Sequence, residues 1–71
     1  MRVCDITKDL DFRKHGVVIL RWDPGNEHTE SENCIYSGTS MGAHQLYGDM
    51  EVVMYSISSS GRLYTITVKD G

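Results

Sequence analysis

The chain has 71 residues, of which 39% are hydrophobic and 24% are charged, and its formal net charge is −3 at pH 7. This length allows one domain with a small core, which excludes a large ligand cavity, and the composition is that of a folding chain rather than a disordered one. The seven basic residues are spread along the chain, which argues against a general nucleic-acid binder, because affinity for phosphate backbones comes from clustered Lys and Arg.

The first fifteen residues contain two segments of different pattern. Residues 2–6 (RVCDI) alternate in polarity and predict a short strand. Residues 8–15 (KDLDFRKH) predict a short helix, because acidic side chains come first, basic ones come last, Thr7 can cap the start and Gly16 can end it. The two large apolar residues of this segment are only two positions apart, so a loop that inserts Phe12 into the core is the alternative.

The most apolar run of the chain predicts the central strand. Residues 17–22 (VVILRW) suit a strand covered on both faces, and we expect this strand to be the main partner of the C-terminal hairpin. Pro24 and Gly25 follow and predict a turn in which Gly25 takes the positive φ of a type II turn.

An acidic segment comes next. Residues 26–33 (NEHTESEN) contain no large apolar residue, and with Asp23 they give four carboxylates and no Lys or Arg between positions 23 and 32. This pattern predicts either an ordinary solvated loop or an acidic surface that recognises a partner. The four carboxylates are Asp23, Glu27, Glu30 and Glu32.

The middle of the chain predicts a strand and a turn. Residues 33–37 predict a strand, and residues 41–47 predict either a helix capped by Ser40 or a loop folded over one end of the sheet. Asp49 and Glu51 then flank the start of the hairpin, where charges discourage edge-to-edge aggregation.

Residues 50–69 predict a β-hairpin with strands 50–58 and 62–69, and the rest of the fold is expected to pack against it. A loop of even length places Ile57 opposite Arg62, Tyr55 opposite Tyr64 and Val53 opposite Ile66. One face is then mainly apolar and contains Val53, Tyr55, Ile57, Tyr64, Ile66 and Val68. The alternative is a three-residue loop with a bulge at Gly61, which would mix the two faces.

Together these elements predict a small single-domain α+β fold dominated by an antiparallel sheet, with a C-terminal β-hairpin and one short helix. A five-stranded barrel built from the same strands is the alternative. Because the core is small and a hairpin edge is available, we also expect a homodimer through that edge.

Two cysteines, Cys4 and Cys34, carry the redox chemistry of the chain. No signal peptide precedes them and no apolar run reaches membrane length, so we expect a cytoplasmic protein, not bound to a membrane, with two free and buried thiols.

A zinc or redox module is one alternative function. His28, Glu30, Glu32 and Cys34 would share one face if residues 28–34 were extended, as zinc ligands require. The chain has no Cys-x-x-Cys or His-x-x-x-His pair, so we expect no metal and no cofactor.

A small nucleic-acid-binding sheet is the second alternative. Its stacking platform would consist of Trp22, Tyr36, Tyr47, Tyr55 and Tyr64. Its basic stripe would consist of Arg2, Arg21, Arg62 and Lys69. Because the charge near Trp22 and Tyr47 is negative, core packing and pairing within the hairpin explain these aromatic residues better.

The leading hypothesis is a small, acidic, non-enzymatic protein that binds another protein. The binding surface would be the acidic segment 23–32, the hairpin edge with Asp49 and Glu51, or both. A narrower form is an inhibitor of the kind that phages and other mobile elements make, anti-CRISPR proteins among them. Its carboxylates would imitate nucleic-acid phosphates and block the basic groove of a host nuclease or defence complex.

Overall fold

The computed structural model describes residues 1–69, which form one four-stranded sheet and three short helices. In chain order the elements are α1 (Val3–Thr7), β1 (Gly16–Arg21), α2 (Glu30–Asn33), β2 (Cys34–Thr39), α3 (Ser40–Tyr47), β3 (Val52–Ile57) and β4 (Leu63–Val68). The strand order is β2-β1-β4-β3, and the sheet is open. The predicted α+β class is therefore confirmed, and the barrel is wrong because β2 and β3 stay at opposite edges. None of the helices within residues 1–69 has the length and apolar content to cross a membrane.

The two central strands are parallel. β1 pairs with β4 in parallel from Gly16↔Leu63 to Arg21↔Val68. β1 also pairs antiparallel with β2, and β3 pairs antiparallel with β4. The expected partnership between the apolar strand and the hairpin is confirmed, but the sheet is mixed. The ends of β1 and β4 and the starts of β2 and β3 consequently lie at the same end of the sheet.

The core lies on one face of this sheet. Val17 and Ile19 of β1 and Ile66 and Val68 of β4 are fully buried there. They pack with Val3 of α1 and Ala43 of α3, so both helices cover this face. Alternation places the side chains of the other positions on the second face, which we call the open face. In β1, β3 and β4 it consists of Val18, Leu20, Met54, Ser56, Leu63, Thr65 and Thr67, none of them fully buried. The expectation that β1 is covered on both faces is therefore wrong.

The two predictions for the start of the chain are wrong. Residues predicted as strand 2–6 form α1, because the Asp5 carboxylate accepts the Arg2 N–H at 2.8 Å and closes the first turn. Val3 and Thr7, one helical turn apart, are both buried. Residues 8–15 form turns instead of a helix, and the Asp11 carboxylate accepts the Arg13 N–H at 2.9 Å. Phe12 is exposed, so it does not enter the core.

The middle elements follow the prediction more closely. Strand 17–22 is confirmed to within one residue, and strand 33–37 begins one residue later and continues to Thr39. The helix at 41–47 is confirmed, but the Thr39 hydroxyl caps it by accepting the Gly42 N–H at 3.2 Å, whereas Ser40 is buried. A Cβ at Gly42 would overlap the Tyr36 hydroxyl, which explains a glycine inside this helix.

The C-terminal hairpin is confirmed with a different register. Ile57 pairs with Tyr64 and Tyr55 with Ile66, so both of these predicted pairs are wrong by two residues, and Val53 lies in an irregularity and does not pair with Ile66. The loop has an even number of residues, as expected. The Ser58 N–H donates to the Leu63 carbonyl at 2.8 Å, and this hydrogen bond encloses the four residues 59–62. Gly61 has a φ of 74° within it. Tyr55 and Ile57 therefore share a face with Tyr64, Ile66 and Val68, as predicted. This alternation ends at an irregularity between Val52 and Met54.

Shortening one buried side chain should destabilise this core by a predictable amount. We expect Ile66→Val to lower the free energy of unfolding by about 0.5–1.5 kcal/mol, because it deletes one buried methyl group from the central pair. Leu46→Ala, at an exposed position of α3, should change it by less than about 0.5 kcal/mol. Urea unfolding followed by circular dichroism measures both, and equal effects would contradict the assigned core.

Candidate functional site

The acidic segment leaves the sheet through a turn at the end of β1. The Trp22 N–H still donates to the Val68 carbonyl at 2.9 Å, and the Asn26 N–H donates to the Asp23 carbonyl at 3.1 Å. Asn26, not Gly25, has the positive φ, of 51°. The predicted turn is therefore present, but the left-handed residue was predicted one position too early. Asn tolerates this conformation better than most residues with a side chain.

The Asp23 carboxylate holds the segment together. Its Oδ2 accepts the His28 backbone N–H at 2.7 Å and the Asn33 side-chain amide at 3.2 Å. The Nδ1 atom of His28 lies 3.5 Å from the same oxygen, and the Asp23 side chain is only 14% exposed. Asp23 therefore fixes the conformation of the loop, and its carboxylate interacts mainly with groups of the same chain.

A capping box orders the end of the segment. The Glu32 carboxylate accepts the Thr29 N–H at 2.9 Å, and the Thr29 hydroxyl accepts the Glu32 N–H at 3.2 Å. These reciprocal bonds start α2, a single helical turn that leads directly into β2. Arg21 adds a bond from β1, with its guanidinium donating to the Glu32 carbonyl at 3.3 Å.

Hydrogen bonds keep two of these carboxylates ionised. The His28 backbone N–H is the main cause that lowers the pKa of Asp23, and the Asn33 amide adds to it. The Thr29 backbone N–H, followed by its hydroxyl, lowers the pKa of Glu32. Both groups therefore stay ionised to a lower pH than an ordinary carboxyl group while they stabilise the loop.

The remaining predicted site residues point to solvent. Glu27 and Glu30 are exposed on the loop, and Asp49 and Glu51 are exposed between α3 and β3. Because β4 is parallel to β1 and antiparallel to β3, both groups lie at the same end of the sheet. Strands are about 4.8 Å apart, so the carboxylates are distributed over a width of roughly 14 Å. We call this the acidic end, and it contains Asp23, Glu27, Glu30, Glu32, Asp49 and Glu51.

The acidic segment also borders the open face. A shallow depression of about 290 Å³ lies between them, with Leu20, Met54 and Thr67 on the sheet side and Arg21, Asp23, His28 and Glu30 among the residues on the other side. Met54 is 60% exposed there. The sequence did not indicate this combination of carboxylates and apolar surface, because the sequence pattern did not show which sheet face the helices cover.

The opposite end of the sheet is basic. Arg13 and Lys14 precede β1, Arg62 precedes β4, and the three line one concavity with His15 and the hairpin loop. The Gly16 N–H donates to the Arg62 carbonyl at 2.8 Å and brings the two segments together. The predicted basic stripe is therefore wrong, because Arg62 lies at the end opposite Arg21 and Lys69. Sequence inspection missed the actual cluster because its members are distant along the chain.

The geometry expected of a zinc module is not present in the described part of the chain. Residues 30–33 are helical, so His28, Glu30, Glu32 and Cys34 do not share the face of one strand. Ligand atoms of Asp23, Glu27 and His28 do lie within 4.8 Å of one another. Asp23 Oδ2, however, already accepts the hydrogen bonds that shape the loop.

The cysteines are free, as predicted, but they are not both buried. Cys4 is half-buried, and Cys34 is exposed, with its thiol donating to the Tyr36 carbonyl at 3.4 Å. Two histidines, His44 and His15, make contacts with other groups. His44 Nδ1 lies 2.9 Å from the Thr7 hydroxyl, and His15 Nδ1 lies 3.2 Å from the Asp11 carbonyl.

The aromatic residues do not form one platform. Tyr36 and Tyr47 contact each other at 5.7 Å between ring centroids, near α3. Their hydroxyls donate to backbone carbonyls of the same chain. Tyr64 contacts the ring of His15 instead, and Trp22 is exposed at the acidic end.

Comparison of the chain with protein-family models, with curated proteins and with solved structures finds no match.

The acidic loop should lose stability in acid through Asp23. Its folded-state pKa lies below the unfolded value of about 3.9, so its contribution is complete above that value and is lost as the pH falls through the folded-state pKa. Asp23→Asn should therefore show a weaker pH dependence of the unfolding midpoint in urea below about pH 4.

A direct titration checks the cause. Carbon-13 NMR of the Asp23 carboxyl should give a midpoint below that of an unfolded Asp, and Asn33→Ala should raise it because one donor is lost. An unchanged midpoint in Asn33→Ala would contradict the assigned role of that hydrogen bond.

Proposed function

We propose that the protein is a small, non-enzymatic binding domain that presents its acidic end to a basic surface of another protein. The observation that carries this proposal is the position of the exposed carboxylates. Glu27 lies on a loop that internal hydrogen bonds already order, and Glu30 begins α2 and lines the depression beside Leu20 and Met54 of the open face. An apolar patch with a polar rim is the usual composition of a protein-binding surface.

Ordering of the loop before binding supports this function. Asp23 and Glu32 fix the backbone through their hydrogen bonds, so a partner would not have to order the segment again. Binding then costs less conformational entropy than it would for a flexible acidic tail. Long-range attraction between the carboxylates and a basic partner would mainly accelerate association.

A narrower proposal concerns the kind of partner. Carboxylates distributed over roughly 14 Å at one end of a rigid sheet can occupy a groove that otherwise holds nucleic-acid phosphates. The protein would then act as an inhibitor of a nucleic-acid-binding protein, such as a host nuclease or defence complex. The reducing cytoplasm suits this role, because Cys4 and Cys34 are free thiols.

Charge reversal at the exposed carboxylates tests the proposal. We expect Glu27→Lys combined with Glu30→Lys to weaken partner binding by at least about tenfold, since two attractive contacts become repulsive. Asp23 and Glu32 are left intact because replacing them would disturb the loop. The partner is first captured from a lysate of the native host with the tagged wild-type protein and identified by mass spectrometry. Binding of the purified partner is then measured by calorimetry at two salt concentrations.

The control variant makes the same change in net charge elsewhere. Asp9→Lys with Met41→Lys and Ser59→Lys alters exposed positions that lie away from the acidic end. It should retain wild-type affinity. Equal affinity of the wild-type and Glu27→Lys/Glu30→Lys proteins would refute the acidic end as the binding surface, and binding unaffected by competing duplex DNA or RNA would refute the phosphate-mimic form.

A further inference from the structure

The outer edge of β3 is unpaired over most of its length. The β3 strand lies at one edge of the sheet. Among residues 1–69, only the N-terminal segment lies beside the outer edge of this strand. There, Arg2 forms an isolated bridge with Glu51, and the Val52 N–H donates to the Met1 carbonyl at 2.8 Å. This pairing ends at Val52, so the rest of the strand keeps an open edge.

The register identifies the unpaired backbone groups. The Ser58 N–H donates to the Leu63 carbonyl, so Ser58 faces β4. Because the direction of the backbone groups alternates along an antiparallel strand, Ser56 also faces β4, whereas Tyr55 and Ile57 direct their N–H and C=O groups outward. These two residues therefore offer four hydrogen-bonding groups to a further strand.

Beyond the irregularity at Val52–Met54, this edge carries no charge or proline that would prevent strand pairing. Residues 52–57 contain no charged residue and no proline. Tyr55 is 46% exposed and Ile57 is 49% exposed, and their side chains line a groove under α1 with Ile6, Leu10 and Tyr64. The other edge strand, β2, exposes no large apolar side chain.

We propose that a second copy of this chain pairs with this edge, β3 against β3 and antiparallel, with a two-fold axis at Ser56. Tyr55 of each copy then lies opposite Ile57 of the other, in hydrogen-bonded pairs that satisfy all four outward groups of each strand. An aromatic residue beside a β-branched residue is a favourable cross-strand pair. The product is a continuous eight-stranded sheet.

The charge distribution favours a second copy over an unrelated peptide. An antiparallel two-fold arrangement places the acidic end of one copy beside the basic end of the other. In the proposed register, Glu51 lies level with the hairpin loop of the second copy, which contains Arg62, and the Met1–Arg2 segment that is bridged to Glu51 lies between them. The dimer also leaves the outer carboxylates Glu27 and Glu30 exposed, because they are attached to β1 and not to β3.

A disulfide at the two-fold axis tests the register. In a variant with Cys4→Ser and Cys34→Ser, Ser56→Cys should form an interchain disulfide on mild oxidation, because the two residues would be a non-hydrogen-bonded pair with Cα atoms about 4.5 Å apart. Ser59→Cys in the same background is the control. Its two copies would lie roughly 20 Å apart along the strands and should not crosslink. Absence of the crosslink at position 56, or equal crosslinking at position 59, would overturn the register.

Charge variants test the dimer without a covalent bond. The wild-type protein should sediment with twice the mass of one chain at micromolar concentrations, and Tyr55→Lys/Ile57→Lys should raise the dissociation constant by at least about tenfold through repulsion of facing lysines. Tyr55→Lys/Ile57→Glu should restore dimerisation, because the lysine introduced in each copy would then face the glutamate introduced in the other. Circular dichroism verifies that each variant is folded. A monomeric wild-type protein, or a Tyr55→Lys/Ile57→Glu protein as weak as the double-lysine variant, would overturn the proposal.

Discussion

The parallel pairing of β1 with β4 is the constraint on which the rest of this structure depends. It joins two antiparallel strand pairs through central strands that are far apart in the chain, and its four buried residues form most of the core with Val3 and Ala43. This parallel pairing also determines at which end of the sheet each loop lies. The segment after β1 and the segment before β3 meet at one end of the sheet and make it acidic, and the segments before β1 and β4 make the other end basic.

The carboxylates of the acidic end divide into two groups with different tasks. Asp23 and Glu32 accept backbone hydrogen bonds and determine the shape of the loop, and the same bonds lower their pKa values. Glu27, Glu30, Asp49 and Glu51 are exposed and remain available for contact. A loop that is ordered by its own acidic residues can therefore present a fixed pattern of charge. In the proposed function, this pattern meets a basic partner while the neighbouring open face supplies apolar contact.

Much of the fold was predictable because its signals are local. The apolar run at 17–22 and the turn chemistry at 58–61 predict a central strand and a hairpin, and both are present. The failures have physical causes. Arg2 to Ile6 alternates like a strand, but the Asp5 carboxylate closes a helical turn. The hairpin register differs by two residues because Ser58 pairs with Leu63. The acidic residues were identifiable from sequence, whereas the strand order that gathers Asp49 and Glu51 beside them, and Arg13 beside Arg62, depends on contacts distant in the chain.

Amide NMR mapping of the bound surface tests the central claim most directly. The protein is labelled with nitrogen-15, and spectra are recorded as its purified partner is added. If the acidic end is the binding surface, the largest changes fall on residues 23–32 and 49–51 and on the adjoining open-face residues Leu20, Met54 and Thr67, while the basic end is unaffected. Changes centred on Arg13, Lys14 and Arg62, or confined to the outer edge of β3, would contradict the account.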